Sequence, residues 1–168
     1  MRTFIHISGA VCVAIVLAAC GKSPGEKMAE AAIEAGTGQK AEVDADKGAV
    51  TFKTDKGDMK VTSGDQATLP ANFPKDVYLP AGYKVGSAME MPGAMVVDVE
   101  APGTVTDTFA AAVTKMKSEG WTQRVAMQQT PQSQVVVYEK ANRDATLSIS
   151  ENPGKGGVRI GVQVTTRQ

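Results

Sequence analysis

Apolar residues recur at every second position over most of the chain from Ala41 onward, and this alternation constrains the fold more than any other feature of the sequence. A period of two is typical of strands that bury one face. The first three runs are separated by the repeated tripeptide Asp-Lys-Gly at 46–48 and 55–57, where glycine supplies the positive φ of a hairpin turn. A three-stranded β-meander is therefore predicted over 41–64, and it needs a cover because three short strands are only marginally stable alone.

A proline-rich stretch separates this meander from the rest of the chain. Pro70, Pro74 and Pro80 exclude a helix and favour an extended connection over 65–82. The remaining residues, 83–168, are long enough to form a unit with its own core.

One helix is predicted inside this C-terminal part. Thr104, with Asp107 three positions later, is typical of a helix start, and Gly120 is typical of a helix end. Trp121 follows at the position where a Schellman ending folds the chain back, so we expect it to contact Met116. The helix is therefore expected over 105–119.

Strands are predicted on both sides of that helix. Two strands flank the turn Pro92-Gly93, and three or four alternating strands follow the helix. The apolar positions of these strands are Val125, Met127, Val135, Val137, Leu147, Ile149, Val158, Ile160, Val162 and Val164. We expect them to share one face, which the helix covers.

The predicted fold class is therefore α+β. An antiparallel curved sheet packs on one helix in the order strand, strand, helix, then a strand meander, and a short helix and the three-stranded meander precede it. The pattern leaves open whether the 41–64 meander joins the C-terminal sheet.

The N-terminal residues have a charge and hydrophobicity pattern of their own. Arg2 precedes an apolar stretch over 4–16, and the segment ends in Leu17-Ala18-Ala19-Cys20, which resembles a bacterial lipobox. The resemblance implies that residues 1–19 are a signal peptide and that lipidated Cys20 becomes the first residue of the mature chain. Two or three acyl chains would suffice for stable membrane anchoring, so the membrane is an expected partner.

The residues after the anchor bear on location and spacing. Gly21 implies the outer membrane, whereas Lys22-Ser23 resembles an inner-membrane retention pattern, and the folded part faces the periplasm in both cases. Ser23 to Glu26 has the form of a capping box, which predicts a helix from Pro24 to about Ala35 that ends at Gly36. Residues 20–40 are accordingly expected to be a lipid anchor and spacer helix, with packing on the sheet as the alternative.

The anchor, the first helix, the meander and the Phe-Pro-x-Asp-Val core of the connection, 73–77, are together similar to uncharacterised small bacterial lipoproteins. This resemblance implies no activity. The resemblance bears on where the protein is located and not on what reaction or ligand it has.

Composition excludes several kinds of chemistry. Removal of residues 1–19 takes away His6 and Cys12, so the mature chain has no histidine and only the lipidated Cys20. Ser-His-Asp and Cys-His catalysis, histidine metal sites and internal disulfides are thereby excluded, and no cofactor is expected. Acidic and basic residues balance at 18 each, so nucleic acid is not an expected partner.

Three methionines form the first candidate site. Met89, Met91 and Met95 flank Pro92-Gly93, and with a three-residue loop their thioethers would share one face and bind Cu(I). Methionine is also the usual filler of irregular core gaps, so structural packing is the alternative.

Three aromatic residues form the second candidate site. Phe109, Trp121 and Tyr138 lie where the helix meets the sheet, and an apolar groove there would take a lipid or a hydrophobic metabolite. A small domain with few aromatic residues also needs them in its core, which is the alternative.

Carboxylates offer a third possibility. Asp98 and Glu100 lie two residues apart on one face of a strand, where a solvated surface is a simpler interpretation than catalysis. The sequence therefore favours a non-enzymatic lipoprotein that acts as an interaction or structural module in the cell envelope, with binding of a small hydrophobic ligand or Cu(I) as the alternative. It specifies neither the protein partner nor the oligomeric state.

Overall fold

The computed structural model describes residues 22–167, so Cys20 and the expected signal peptide lie outside the described residues. The elements in chain order are α1 (Pro24–Thr37), β1 (Ala41–Asp44), β2 (Ala49–Thr54), β3 (Gly57–Ser63), a 3-10 turn (Gly64–Gln66), β4 (Lys84–Met91), β5 (Ala94–Ala101), α2 (Val105–Ser118), β6 (Thr122–Thr130), β7 (Ser133–Lys140), β8 (Arg143–Glu151) and β9 (Val158–Thr166). Over the described range the fold is thus α+β, with nine strands and two α-helices.

The strands form one open antiparallel sheet in the order β1-β2-β3-β4-β5-β9-β8-β7-β6. The 41–64 meander joins this sheet, because β3 pairs with β4 and places Val61 opposite Met89. The last strand, β9, lies between β5 and β8. The meander and the C-terminal strands are therefore parts of one sheet rather than separate units.

Local sequence signals explain both ends of α2. The Thr104 Oγ1 atom accepts a hydrogen bond from the Asp107 backbone N–H at 3.1 Å. Gly120 has φ 81°, and the Trp121 backbone N–H donates to the Met116 carbonyl at 3.0 Å. The expected cap and the folded-back tryptophan are confirmed.

The core lies between α2 and the sheet. Helix α2 packs on β6, β7 and β8. The proline-rich connection adds Phe73, Val77 and Tyr78, all of which are buried. This segment provides cover beside the helix, so the connection is part of the core rather than a loose linker.

The predicted apolar face is wrong for β6 and β7. Val136 and Tyr138 of β7 are buried in the core, whereas Val137 lies opposite Thr146 on the other face. Strand pairing decides the matter, because Val136 lies opposite Leu147, which is itself fully buried. Four positions that were expected to face α2 therefore face away from it: Val125, Met127, Val135 and Val137.

Helix α1 is longer than expected and contacts the sheet. Its capping box is confirmed, since Ser23 Oγ accepts from the Glu26 backbone N–H at 3.2 Å and Glu26 Oε2 accepts from the Ser23 backbone N–H at 2.6 Å. The helix ends at Gly38, with φ 70°, and not at Gly36. It lies against β1. Neither helix between residues 22 and 167 combines the length and apolarity that a membrane span requires.

Candidate functional site: an open sheet edge

The sheet has two edges, and α1 blocks the first of them. On β1, the Val43 backbone N–H donates to Glu30 Oε1 at 2.7 Å, and the Ala45 backbone N–H just beyond the strand donates to Glu26 Oε1 at 2.9 Å. The Ala45 hydrogen bond is the main reason that the pKa of Glu26 is lowered, and hydrogen bonds from Lys22 and then Val43 lower the pKa of Glu30. Both carboxylates occupy donors that another strand would need, which protects this edge from pairing.

The second edge, β6, is open. All nine of its residues are exposed, including the large apolar side chains Val125 and Met127, at 43% and 51%. Its single charged residue, Arg124, pairs with Glu139 of β7 at 2.9 Å. Among the strands within residues 22–167, only β7 pairs with β6, so the outer side of β6 has no strand partner there. A long, exposed, nearly uncharged edge is a template for pairing with another strand.

An apolar surface continues from this edge onto the sheet. Val125 lies opposite Val137, and Met127 lies opposite Val135, so all four side chains share the face turned away from α2. Val135 and Val137 are half-buried. We call Val125, Met127, Val135 and Val137 the edge patch. It offers apolar contact area directly beside the unpaired backbone of β6.

The start of β6 is held firmly by Trp121, which is 4% exposed. Its Nε1–H donates to the Asp76 carbonyl at 2.8 Å. The Arg143 Cζ atom lies 4.9 Å and the Lys140 Nζ atom 5.9 Å from the centroid of the ring, within the range of cation–π attraction. These contacts of Trp121 therefore hold the start of the open strand in place.

Charged side chains are concentrated around Trp121. The Asp76 carboxylate accepts hydrogen bonds from Arg143 and Lys140, and these cations, Arg143 above all, lower its pKa to about 2. The Lys140 Nζ atom also donates to the Glu119 carbonyl at the end of α2, at 2.6 Å, where a cation suits the helix dipole. The connection, α2 and the β7–β8 turn are thus tied together at one place.

The three aromatic candidates are core residues. Tyr138 is 1% exposed, Trp121 is buried, and Phe109 packs against the buried cluster. The Tyr138 hydroxyl has no hydrogen-bond partner among the described residues, and burial raises its pKa to about 12. The structure thus places all three side chains in packing positions between helix and sheet.

The three methionine candidates do not share one face, which corrects the expected arrangement. The β4–β5 turn has two residues rather than three, because Met91 lies opposite Ala94. Met95 therefore lies opposite Glu90 and packs against the core, whereas Met89 and Met91 lie on the other face.

The carboxylates Asp98 and Glu100 line an open, polar concavity of about 910 Å³. Asp98 Oδ1 accepts from Arg159 Nε at 2.8 Å, and Glu100 Oε1 accepts from Lys155 Nζ at 3.0 Å. The Lys155 hydrogen bond lowers the pKa of Glu100 and favours its ionised form. Each carboxylate is thus matched by a cation, as on a solvated polar face.

The open edge was missed at the sequence level, although one signal pointed to it. Residues 135–138 are four consecutive apolar residues, and such a run indicates a strand that is apolar on both faces. The edge patch follows from this run together with the register of β6.

No family model, curated protein or solved structure matches the chain. Its own geometry is therefore the basis for a functional proposal.

Proposed function

We propose that this chain is a non-enzymatic lipoprotein that is anchored by Cys20, faces the periplasm and binds another envelope protein through β6. The anchor rests on the resemblance of Leu17 to Cys20 to a lipobox. Gly21 favours the outer membrane, and Lys22-Ser23 keeps the inner membrane as the alternative. The observation that carries the interaction is the contrast between the two sheet edges, one blocked by carboxylates and the other open.

Strand addition suits the chemistry of β6. An extended partner segment would gain backbone hydrogen bonds along the edge and apolar contacts with the edge patch. Arg124 is already neutralised by Glu139, so a partner strand does not need to supply a matching charge. Alternating apolar and uncharged residues are the chemistry expected of that partner segment.

The position of the anchor also fits this role. Lys22, two residues after Cys20, lies beside α1, where its Nζ donates to Glu30 Oε1 at 2.6 Å. β1 and β6 are at opposite ends of nine strands, and eight steps of about 4.8 Å place them roughly 40 Å apart along the sheet. The anchored end is therefore the blocked end, and the open edge is at the other end of the strand order.

Site-specific crosslinking tests the interaction. A photoreactive amino acid replaces Val125 in the full chain in its native membrane, and the control carries the same group at Gln39, an exposed position at the other end of the sheet. We expect a protein adduct from position 125 that Met127→Lys abolishes, because a buried lysine would oppose strand addition. Equal adducts from both positions, or adducts with lipid alone, would contradict the proposal.

The anchor is tested separately. We expect the mature chain to begin at Cys20 and to carry acyl chains by mass spectrometry, and Cys20→Ser to release it from the membrane. An unacylated mature mass would remove the anchor and leave the edge to be judged by crosslinking.

A further inference from the structure

The first strands of the sheet carry an apolar face of their own. Val43, Val50, Val61, Met89 and Val96 lie directly opposite one another across five strands, from β1 to β5. Directly paired residues share a face, and Val96 lies on the face opposite to its buried neighbour Val97, so this row is turned away from α2. Its side chains are half-buried.

Three methionines come together on this face. Met89 and Met91 of β4 lie on it two residues apart, and Met59 of β3 joins them, since the pairs Val61–Met89 and Lys60–Glu90 place Met59 next in line with Met91. The paired residues of β3 and β4 end at Lys60–Glu90, and one further step along the same register places Met59 opposite Met91.

A second contact supports the alignment. A Cβ atom built on Gly57 would lie only 2.7 Å from Pro92 Cγ, so the β2–β3 turn lies directly against the β4–β5 turn. β3 and β4 therefore remain side by side from the Lys60–Glu90 pair up to these turns. Met59 and Met91 lie in this interval.

The spacing allows the three sulfur atoms to meet. Adjacent strands are about 4.8 Å apart, and residues i and i+2 on one strand are about 7 Å apart. Methionine is unbranched and has three rotatable side-chain bonds, so thioethers at such separations can converge on one point. All three side chains are half-buried and keep some access to solvent.

We propose that Met59, Met89 and Met91 form a Cu(I)-binding site. Soft thioether ligands select Cu(I) over harder divalent ions, and a monovalent cation suits three neutral ligands. Phe52, opposite Met59, and Val61, opposite Met89, provide an apolar surround. The site differs from the one expected from sequence in a single ligand, because Met59 takes the place of Met95.

A competition titration tests this site. The full chain, purified in detergent with its acylation confirmed by mass, is titrated with Cu(I) under a reductant against the chromophoric chelator bicinchoninate. We expect one Cu(I) per chain, and loss of a ligand in Met59→Leu to weaken binding roughly tenfold or more. Met95→Leu is the matched control, because the same exchange on the opposite face leaves the three thioethers in place.

Two outcomes would overturn the proposal. One is a Met59→Leu protein that is folded by circular dichroism and binds Cu(I) as tightly as the unaltered chain. The other is equal weakening by Met95→Leu. X-ray absorption of the unaltered Cu(I)-loaded chain provides a measurement that needs no variant: we expect a first shell of sulfur alone, and a shell dominated by nitrogen or oxygen would also reject the site.

Discussion

Asp76 and Arg143 form a two-pronged ion pair, with Nη1 to Oδ1 at 3.0 Å and Nη2 to Oδ2 at 2.6 Å. The two residues are 67 positions apart, so the pair fixes the proline-rich connection to the start of β8. Both side chains are largely shielded from water, at 19% and 27% exposure, which makes this pair stronger than an exposed one.

Asp76→Asn should therefore destabilise the fold. The substitution keeps the shape but removes the charge that Arg143 and Lys140 share, so we expect a loss of about 1–3 kcal/mol in the free energy of unfolding at pH 7. Urea denaturation measures this loss. Asp65→Asn, at an exposed position, is the control and should change little.

The same variant has a defined pH dependence. The pKa of Asp76 is lowered from 3.8 to about 2 in the folded state, so the carboxylate stabilises the fold above the unfolded pKa, and this contribution is lost as the pH falls toward 2. The difference between wild type and Asp76→Asn should shrink over this range. A difference that stays constant from pH 7 to pH 2 would show that the charge is not responsible.

Loss of one α1 carboxylate should expose one backbone donor of β1. In Glu30→Ala we expect the Val43 amide hydrogen to exchange roughly tenfold faster, because it loses a hydrogen bond to a charged acceptor. The Ala45 amide, whose N–H donates to Glu26, is the internal control. Glu34→Ala, on the same helix, is the control variant. Hydrogen exchange followed by NMR resolves the amides, and equal acceleration at Val43 and Ala45 would mean that α1 detaches as a whole.

Met116 combines a packing role with a polar one. It is fully buried, and its Sδ atom accepts the Tyr78 backbone N–H at 3.3 Å. Met116→Ala should cost about 2–5 kcal/mol through the cavity it leaves. Met116→Leu fills the space but leaves the Tyr78 donor unpaired, so we expect a smaller loss of about 1–2 kcal/mol. Thermal or urea unfolding compares the two, and Met28→Ala, at a 75% exposed position, should be neutral.

Tyr138→Phe should not destabilise the protein. It removes a buried hydroxyl that has no partner in residues 22–167, so the unfolding free energy should stay the same or rise by about 1 kcal/mol. Since the folded pKa is raised to about 12 from 10, wild-type stability should fall as the pH rises through that interval. The variant should show less of this alkaline loss in urea titrations, and a marked destabilisation at pH 7 would contradict the expectation.

Local signals in the sequence were sufficient for turns and helix caps. Gly48 and Gly57 have φ of 55° and 111°, as the two Asp-Lys-Gly turns require, and Thr104 caps α2 as expected. These features depend on neighbouring residues only. The end of α1 was placed two residues early because Gly36 and Gly38 are equally suitable stops, and only Gly38 takes the left-handed conformation that closes the helix onto Glu34.

Long-range pairing was beyond the sequence pattern. Val135 with Val137, and Val136 with Tyr138, fit an alternating pattern equally well, so the sequence does not indicate which pair is buried. Val136 lies opposite the buried Leu147 of β8, and this pairing determines that Val136 and Tyr138 are the buried pair. Met95 was assigned to the wrong face because the turn length was unknown. The open edge and the Met59 alignment both follow from the strand order, which local patterns do not contain.

The place of β9 in the sheet sets a condition on how the chain acquires its structure. Until residues 158–166 pair, β5 and β8 each lack a partner strand on one side. The strands from β1 to β5 then have no hydrogen-bonded connection through the sheet to the strands from β6 to β8. Such distant pairings form late and slowly. Pairing of β9 with both neighbours is therefore the step that makes the sheet continuous, and a chain in which this strand is still unpaired exposes apolar surface that chaperones recognise.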